Sequence, residues 1–254
     1  DDADNVSLEI LDADGNVLRE FSQDEISTER FLSFDNRRYE QDLVTGRPSA
    51  AVSRGLNRFI WDMRYPSVPA IPGVPPVLIK PIAKPGTYQV RLTVNGESQT
   101  QSFELNMNPN ETYTRAETDE KGAFWLALHA KAAEGVEAVL DAQAAQARVT
   151  EAMESDSASD ELKAQAQVVH DLSQTFIASM VATGRTLVQI ISEPTKPLSK
   201  FVTLHNIMET TEGPPNQPLR DVYSKTAAEI DAAIAEFREA LDTEMTKFES
   251  IAGS

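Results

Sequence analysis

The sequence predicts a multidomain β + α protein, with an antiparallel β-sandwich over residues 1–110 followed by an antiparallel three-helix bundle over residues 111–254. Two observations predict it. Before Asn110 large apolar residues recur with period two, the mark of strands with one buried face. After Asn110 they recur at helical spacing. Asn108-Pro109-Asn110 stands between the two patterns, and capping-type residues crowd Thr112–Thr118 just beyond it.

The first alternating run is Val6-Ser7-Leu8-Glu9-Ile10-Leu11, and the second is Val17-Leu18-Arg19-Glu20-Phe21. Asp12-Ala13-Asp14-Gly15-Asn16 separates them. Asp-Gly between apolar runs is a hairpin signal, because glycine takes positive φ without steric cost. An Asp-x-Asp-Gly calcium loop is the competing reading. Such a loop requires a bidentate Glu at its twelfth position and helices on both sides. Counted from Asp12 that position is Gln23, so a turn is expected.

Residues 22–54 are polar and irregular, and short helical turns are expected around Asp24–Phe31 and Arg38–Val44. Gly55–Tyr65 alternates again and is expected to be a core strand, with Phe59, Trp61 and Met63 on one face and Ile60 and Asp62 on the other. Seven of the 14 prolines fall between Pro66 and Pro85. That density excludes helix and central strand, and leaves a stiff connection with at most an edge strand near Val77–Ile79. Thr87–Val94 places Tyr88, Val90, Leu92 and Val94 on one face. Asn95-Gly96 is a second tight turn, and Gln99–Met107 returns beside it. Five or six strands in about 105 residues is the scale of an immunoglobulin-like sandwich.

Three helical stripes follow. The first is expected over about Thr118–Met153, carried by Phe124, Leu128, Val136, Val139, Leu140 and Ala147. The second, about Asp160–Ser192, steps through Leu162, Ala166, Val169, Ser173, Phe176, Met180, Thr183, Leu187 and Ile190 like a coiled-coil seam. Pro194 and Pro197 stop it, and Leu198–Met208 forms a short helix. The last runs from about Leu219 to Ile251 through Tyr223, Ile230, Ile234, Phe237, Leu241, Met245 and Phe248. Each long helix buries what the others cannot, and some 30 residues reach about 45 Å.

The motifs Gly55-Leu56-Asn57-Arg58-Phe59-Ile60-Trp61-Asp62-Met63-Arg64-Tyr65-Pro66 and Pro85-Gly86-Thr87-Tyr88-Gln89-Val90-Arg91-Leu92-Thr93-Val94-Asn95-Gly96 carry a resemblance, as does the hairpin Leu8–Val17. The chain resembles the C-terminal region of secreted bacterial proteins with an N-terminal sortilin-like β-propeller of neuraminidase-type (BNR) repeats, often labelled glycosyl hydrolases. The pair Trp61-Asp62 and Pro85-Gly86-Thr87-Tyr88 is also similar to the Ig-like domain of flagellar hook-capping proteins. The resemblance implies an Ig-like sandwich, a helical segment after it, and a secreted or periplasmic location. Any glycosidase-like chemistry would lie in the propeller, so it assigns no catalytic residue here. The insertion at 22–54 departs from the pattern.

Composition narrows the partners. The net charge is −17, with −5 over residues 1–110 and −12 over the rest. An acidic surface repels phosphate backbones and anionic headgroups, so no nucleic-acid partner is expected. No apolar run reaches 18 residues, so no membrane insertion is expected. With no cysteine, disulfides, thiolate zinc sites and cysteine nucleophiles are excluded. The chain opens on Asp1-Asp2-Ala3-Asp4 without an initiator Met or signal peptide, which suggests a processed chain or part of a longer one.

His129, His170 and His205 fall one to a helical segment, with no His-x-x-x-His pair to start a metal site. Asp62 beside Trp61 is the one carboxylate in a distinctive setting, and is expected to accept hydrogen bonds from backbone or Arg64. Trp125 is expected in the helical core rather than facing sugar. No nucleophile elbow, P-loop or dinucleotide fingerprint occurs. The expectation is thus no catalytic, cofactor or metal residue, with Val68, Ile71 and Val74 exposed on the proline-rich loop as a surface for a protein partner or an adjacent propeller domain. The favoured function is a non-catalytic accessory or interaction module. The alternatives are a carbohydrate-binding module, which would need Trp61, Tyr65 and Tyr88 facing solvent, and a hydrolase, which would need a pocket with two facing carboxylates or a metal.

Overall fold

The computed structural model describes residues 5–22, 59–74, 77–110, 112–182 and 195–253. They form a four-stranded antiparallel sheet and four helices. The strands are β1 (Val6–Leu11), β2 (Val17–Ser22), β3 (Gly86–Val94) and β4 (Glu97–Leu105). The helices are α1 (Arg115–Glu154), α2 (Asp160–Met180), α3 (Pro197–Thr210) and α4 (Gln217–Ala252). The chain divides into a sheet unit, Asp1–Pro66 with Ile82–Arg115, and a helical unit, Ser67–Pro81 with Ala116–Ser254. The boundary expected at residue 110 thus lies a few residues later, and fifteen residues of the proline-rich loop belong with the helices.

In the sheet unit the strand order is β2-β1-β3-β4. The first turn closes through its own side chain. The Asp12 carboxylate accepts from the Asn16 backbone N–H at 2.8 Å, the Asp14 N–H at 3.0 Å and the Asn16 amide at 2.9 Å. Gly15 supplies the positive φ of +87°. The Asx geometry explains the motif without a cation, and the Asn16 bond holds the Asp12 carboxyl below its usual range. One sheet face is apolar: Ile10, Phe21 and Tyr88 are buried there, with Phe103 and Leu105 beside them. The other carries Glu9 and Arg91, joined side by side across β1 and β3 by a bidentate ion pair.

The strand expected over Gly55–Tyr65 is corrected over its described part. Residues 59–65 make only an isolated bridge, Arg64 to Ile82. Alternation holds as far as Trp61: Phe59 and Trp61 face the aromatic core, while Ile60 is 61% exposed. Met63 then takes φ +58°, which ends an extended run and turns its own side chain outward. The edge strand expected near Val77–Ile79 is likewise not formed. The short helices expected within 22–54 and the seam positions Thr183, Leu187 and Ile190 lie outside the described residues.

The helical unit keeps its stripes with two corrections: Ala147 is exposed rather than buried, and α2 ends at Met180, where Val181 takes extended backbone, instead of running on to about Ser192. Ala166, Val169, Ser173, Phe176 and Met180 of α2 are buried, as their spacing predicts. Ser159 caps α2 and Asn216 caps α4, each accepting the backbone N–H three residues on at 3.1 Å. Arg220 pairs with Glu120 near the starts of α4 and α1, and Arg148 with Glu249 near their ends, so these two helices run the same way. α2 opposes them, since Gln165 near its start binds Glu244 near the end of α4. Gly135 sits where the helices converge. A Cβ there would stand 3.0 Å from Leu198 and 3.2 Å from Met180, so the absent side chain lets α1 approach its neighbours.

Candidate functional site

The residues with distinctive chemistry fall into four local settings. The first is the Trp-Asp turn of the sheet unit. The Trp61 indole N–H donates to the Arg64 carbonyl at 3.3 Å, and the Asp62 carboxylate accepts the Arg64 backbone N–H at 3.1 Å. Arg19 of β2 donates to both Asp62 oxygens at 3.2 and 3.3 Å while lying 4.9 Å over the Phe21 ring. The Ala83 N–H closes the far side onto the Met63 carbonyl at 2.7 Å. These bonds over-determine the left-handed conformation of Met63, which otherwise costs about 1–3 kcal/mol. Asp62 therefore holds a turn, as its sequence setting suggests.

The second setting is the aromatic layer beneath that turn. Trp61 meets Tyr88 edge-on at 5.7 Å and Phe103 at 6.2 Å, and Tyr88 stacks on Phe103 at 5.9 Å. Tyr88 is buried, its hydroxyl donates to the Lys84 carbonyl at 2.7 Å, and burial pushes its pKa up to about 12. Trp61 and Tyr65 are half-buried, and burial raises the Tyr65 pKa as well. A sugar platform needs open aromatic faces, whereas these rings fill the core under the sheet.

Third, the proposed docking residues are placed differently from expectation. Val68 is 5% exposed and Ile71 4%, packed with Val77 and Ile79 into the core of the helical unit, and Val74 is partly buried against the same core. Their exposure is corrected. The prolines deny the segment a helix or a strand ladder, but they leave its aliphatic side chains free to fill the surface between helices. Gly73 at φ +74° turns the segment, and Gln143 of α1 donates to the Pro72 carbonyl at 3.0 Å.

Fourth are the helical ionisable groups. The Trp125 indole donates to His205 Nδ1 at 2.6 Å, with both residues buried, and Lys121 lies 5.7 Å over the indole. Trp125 is thus a core residue, as expected. His205 Nε2 lies 3.7 Å from Glu209, while His170, on α2, lies beside Asp171. A groove of about 350 Å³ is lined by Glu134, Glu137, Asp231, Ile234, Ala235 and Arg238. Two of its carboxylates are bridged by Lys131, which reaches Glu134 at 2.5 Å and Asp231 at 2.8 Å. Those bonds raise the Lys131 pKa and keep it cationic. An ion-pair bridge of this kind fastens α1 to α4.

Among the described residues no group of three or more His, Asp or Glu side chains is placed to hold a metal ion, and no helix is long and apolar enough to cross a membrane. The Trp125–His205 bond is the feature that sequence reasoning missed. A helical stripe marks both residues as inward-facing, but nothing in their spacing pairs them across eighty positions. Comparison with family models, with curated proteins and with solved structures found no match.

Proposed function

We propose that the chain is a non-catalytic accessory and interaction module of an exported bacterial protein, serving to space or dock a neighbouring β-propeller. In this reading the sheet unit is an Ig-like sandwich and the helical unit an antiparallel three-helix bundle. One observation carries it: the side chains best suited to chemistry are engaged in holding the fold. Asp62 ties a turn, Trp61 and Tyr88 fill the sheet core, Trp125 and His205 bond to each other, and Lys131 clamps two carboxylates. The resemblance of the two strand motifs to propeller proteins supplies the partner class.

The test has two arms. The gene is read on both sides of this chain, and in-frame neuraminidase-type Asp-box repeats support the propeller partner, whereas flanking frames without them remove it. The isolated chain is then screened against glycoside and ester substrates. Turnover that survives repeated purification overturns the non-catalytic assignment.

A further inference from the structure

Among the described residues β4 is an edge of the sheet, and it lacks two devices that ordinarily guard one, proline and lysine. Its nine residues, Glu-Ser-Gln-Thr-Gln-Ser-Phe-Glu-Leu, contain no proline and no lysine. They pair with β3 from Glu97 to Leu105 without a bulge. Glu97 through Ser102 and Glu104 are solvent-exposed. Among the described residues the opposite edge, β2, is six residues long, and its register with β1 shifts between Ile10 and Leu11. A long edge in unbroken register is a template for another strand.

The direction of the free backbone groups follows from the turn. Asn95 and Gly96 both have positive φ, +51° and +89°, as a two-residue type I′ hairpin requires. In such a hairpin the flanking residues, here Val94 and Glu97, exchange hydrogen bonds, and bonded pairs then alternate along the ladder. Gln99, Gln101, Phe103 and Leu105 therefore bond to β3. Ser98, Thr100, Ser102 and Glu104 point their N–H and C=O groups outward.

We propose that this edge pairs antiparallel with the β4 edge of a second copy of the chain, joining two four-stranded sheets across a two-fold axis at Gln101. The four outward residues are symmetric about position 101, so one register uses all of them, with Ser98 opposite Glu104 and Thr100 opposite Ser102 of the second copy. The residues between them then place Gln101 against Gln101, Gln99 against Phe103 and Glu97 against Leu105. No like charges stand directly opposite, and Thr–Ser and amide–amide pairs are favourable across strands. Self-complementarity of this kind is what an isologous interface demands. The chain's net charge of −17 opposes association at long range, so pairing strengthens as salt rises. The inference goes beyond the accessory role proposed above and stands or falls without it.

Sedimentation equilibrium of the full chain tests it, together with Gln101→Glu and Gln101→Lys. Each single variant sets like charges facing across the axis and weakens dimerisation by about tenfold or more. An equimolar mixture of the two faces unlike charges and restores association, now as a mixed pair. Residue 101 is exposed, so circular dichroism is expected to be unchanged in both variants. Three results would each overturn the proposal: a wild-type chain that stays monomeric up to about 1 mM, a dimer indifferent to both substitutions, or a mixture no tighter than its components.

Discussion

Inside the helical unit the Trp125 indole donates its proton to His205 Nδ1 across 2.6 Å, with Trp125 3% and His205 4% exposed. An indole N–H can only donate, so Nδ1 must be unprotonated and the ring hydrogen sits on Nε2, the atom nearest Glu209. This bond pins α3 to α1 at a place where neither partner can reach water. Removing one partner leaves the other unsatisfied, which costs more than the bond's net worth. Trp125→Phe is expected to lower unfolding stability by about 1–3 kcal/mol, packing loss included. Urea titration checks the size, and a double-mutant cycle with His205→Leu isolates the bond as a coupling energy.

Ile79 is fully buried in the helical core although it belongs to the proline-rich segment. Ile79→Ala should therefore weaken the helices rather than the sheet, by about 2–5 kcal/mol. Far-ultraviolet circular dichroism at the helical band would report an earlier transition, while near-ultraviolet signals from the Trp61–Tyr88 cluster would persist. Loss of the sheet-unit signal with helices intact would contradict this placement of Ser67–Pro81.

What could be read in advance follows from how local each cause is. Capping, Asp-Gly and Asn-Gly turns and the 3.6-residue stripes act within a few positions. The hairpins and the buried positions of α2 accordingly appear where their residues indicate. Val68, Ile71 and Val74 were misplaced because a proline-rich composition excludes regular structure without saying whether the side chains are covered. The Gly55–Tyr65 reading failed at Met63 for a similar reason. Alternation continues through that residue, and only the bonds made by Asp62, Arg64 and Ala83 reveal the turn.

Glu9 and Arg91 give the sheet unit an acid-side pH dependence. The hydrogen bond from Arg91 is the main cause that holds the Glu9 carboxyl below its reference value of 4.5, and the Glu9 side chain is 15% exposed. A folded-state pKa below the unfolded one means the native state binds fewer protons. The stabilisation is then complete above about pH 4.5 and is lost as pH falls through the lowered value. Glu9→Gln is expected to reduce stability at pH 7 and to flatten its decline between about pH 5 and 3. Chemical denaturation at a series of pH values measures both effects. An unchanged slope below the reference value would mean that this ion pair is not the titrating cause.

Ser173 supplies the opposite kind of test, a substitution that stabilises. It faces the core from α2, between Val169 and Phe176, with 0% exposure, and its hydroxyl has no hydrogen-bond partner among the described residues. Burying an unsatisfied hydroxyl costs about 1–3 kcal/mol, and serine is a weaker helix former than alanine. Ser173→Ala removes one oxygen and leaves little void, so stability is expected to rise by about 1 kcal/mol. The gain should appear as a higher urea midpoint with an unchanged slope, since the surface exposed on unfolding hardly changes. A lower midpoint would show that the hydroxyl is bonded in solution, and that α2 packs differently around position 173.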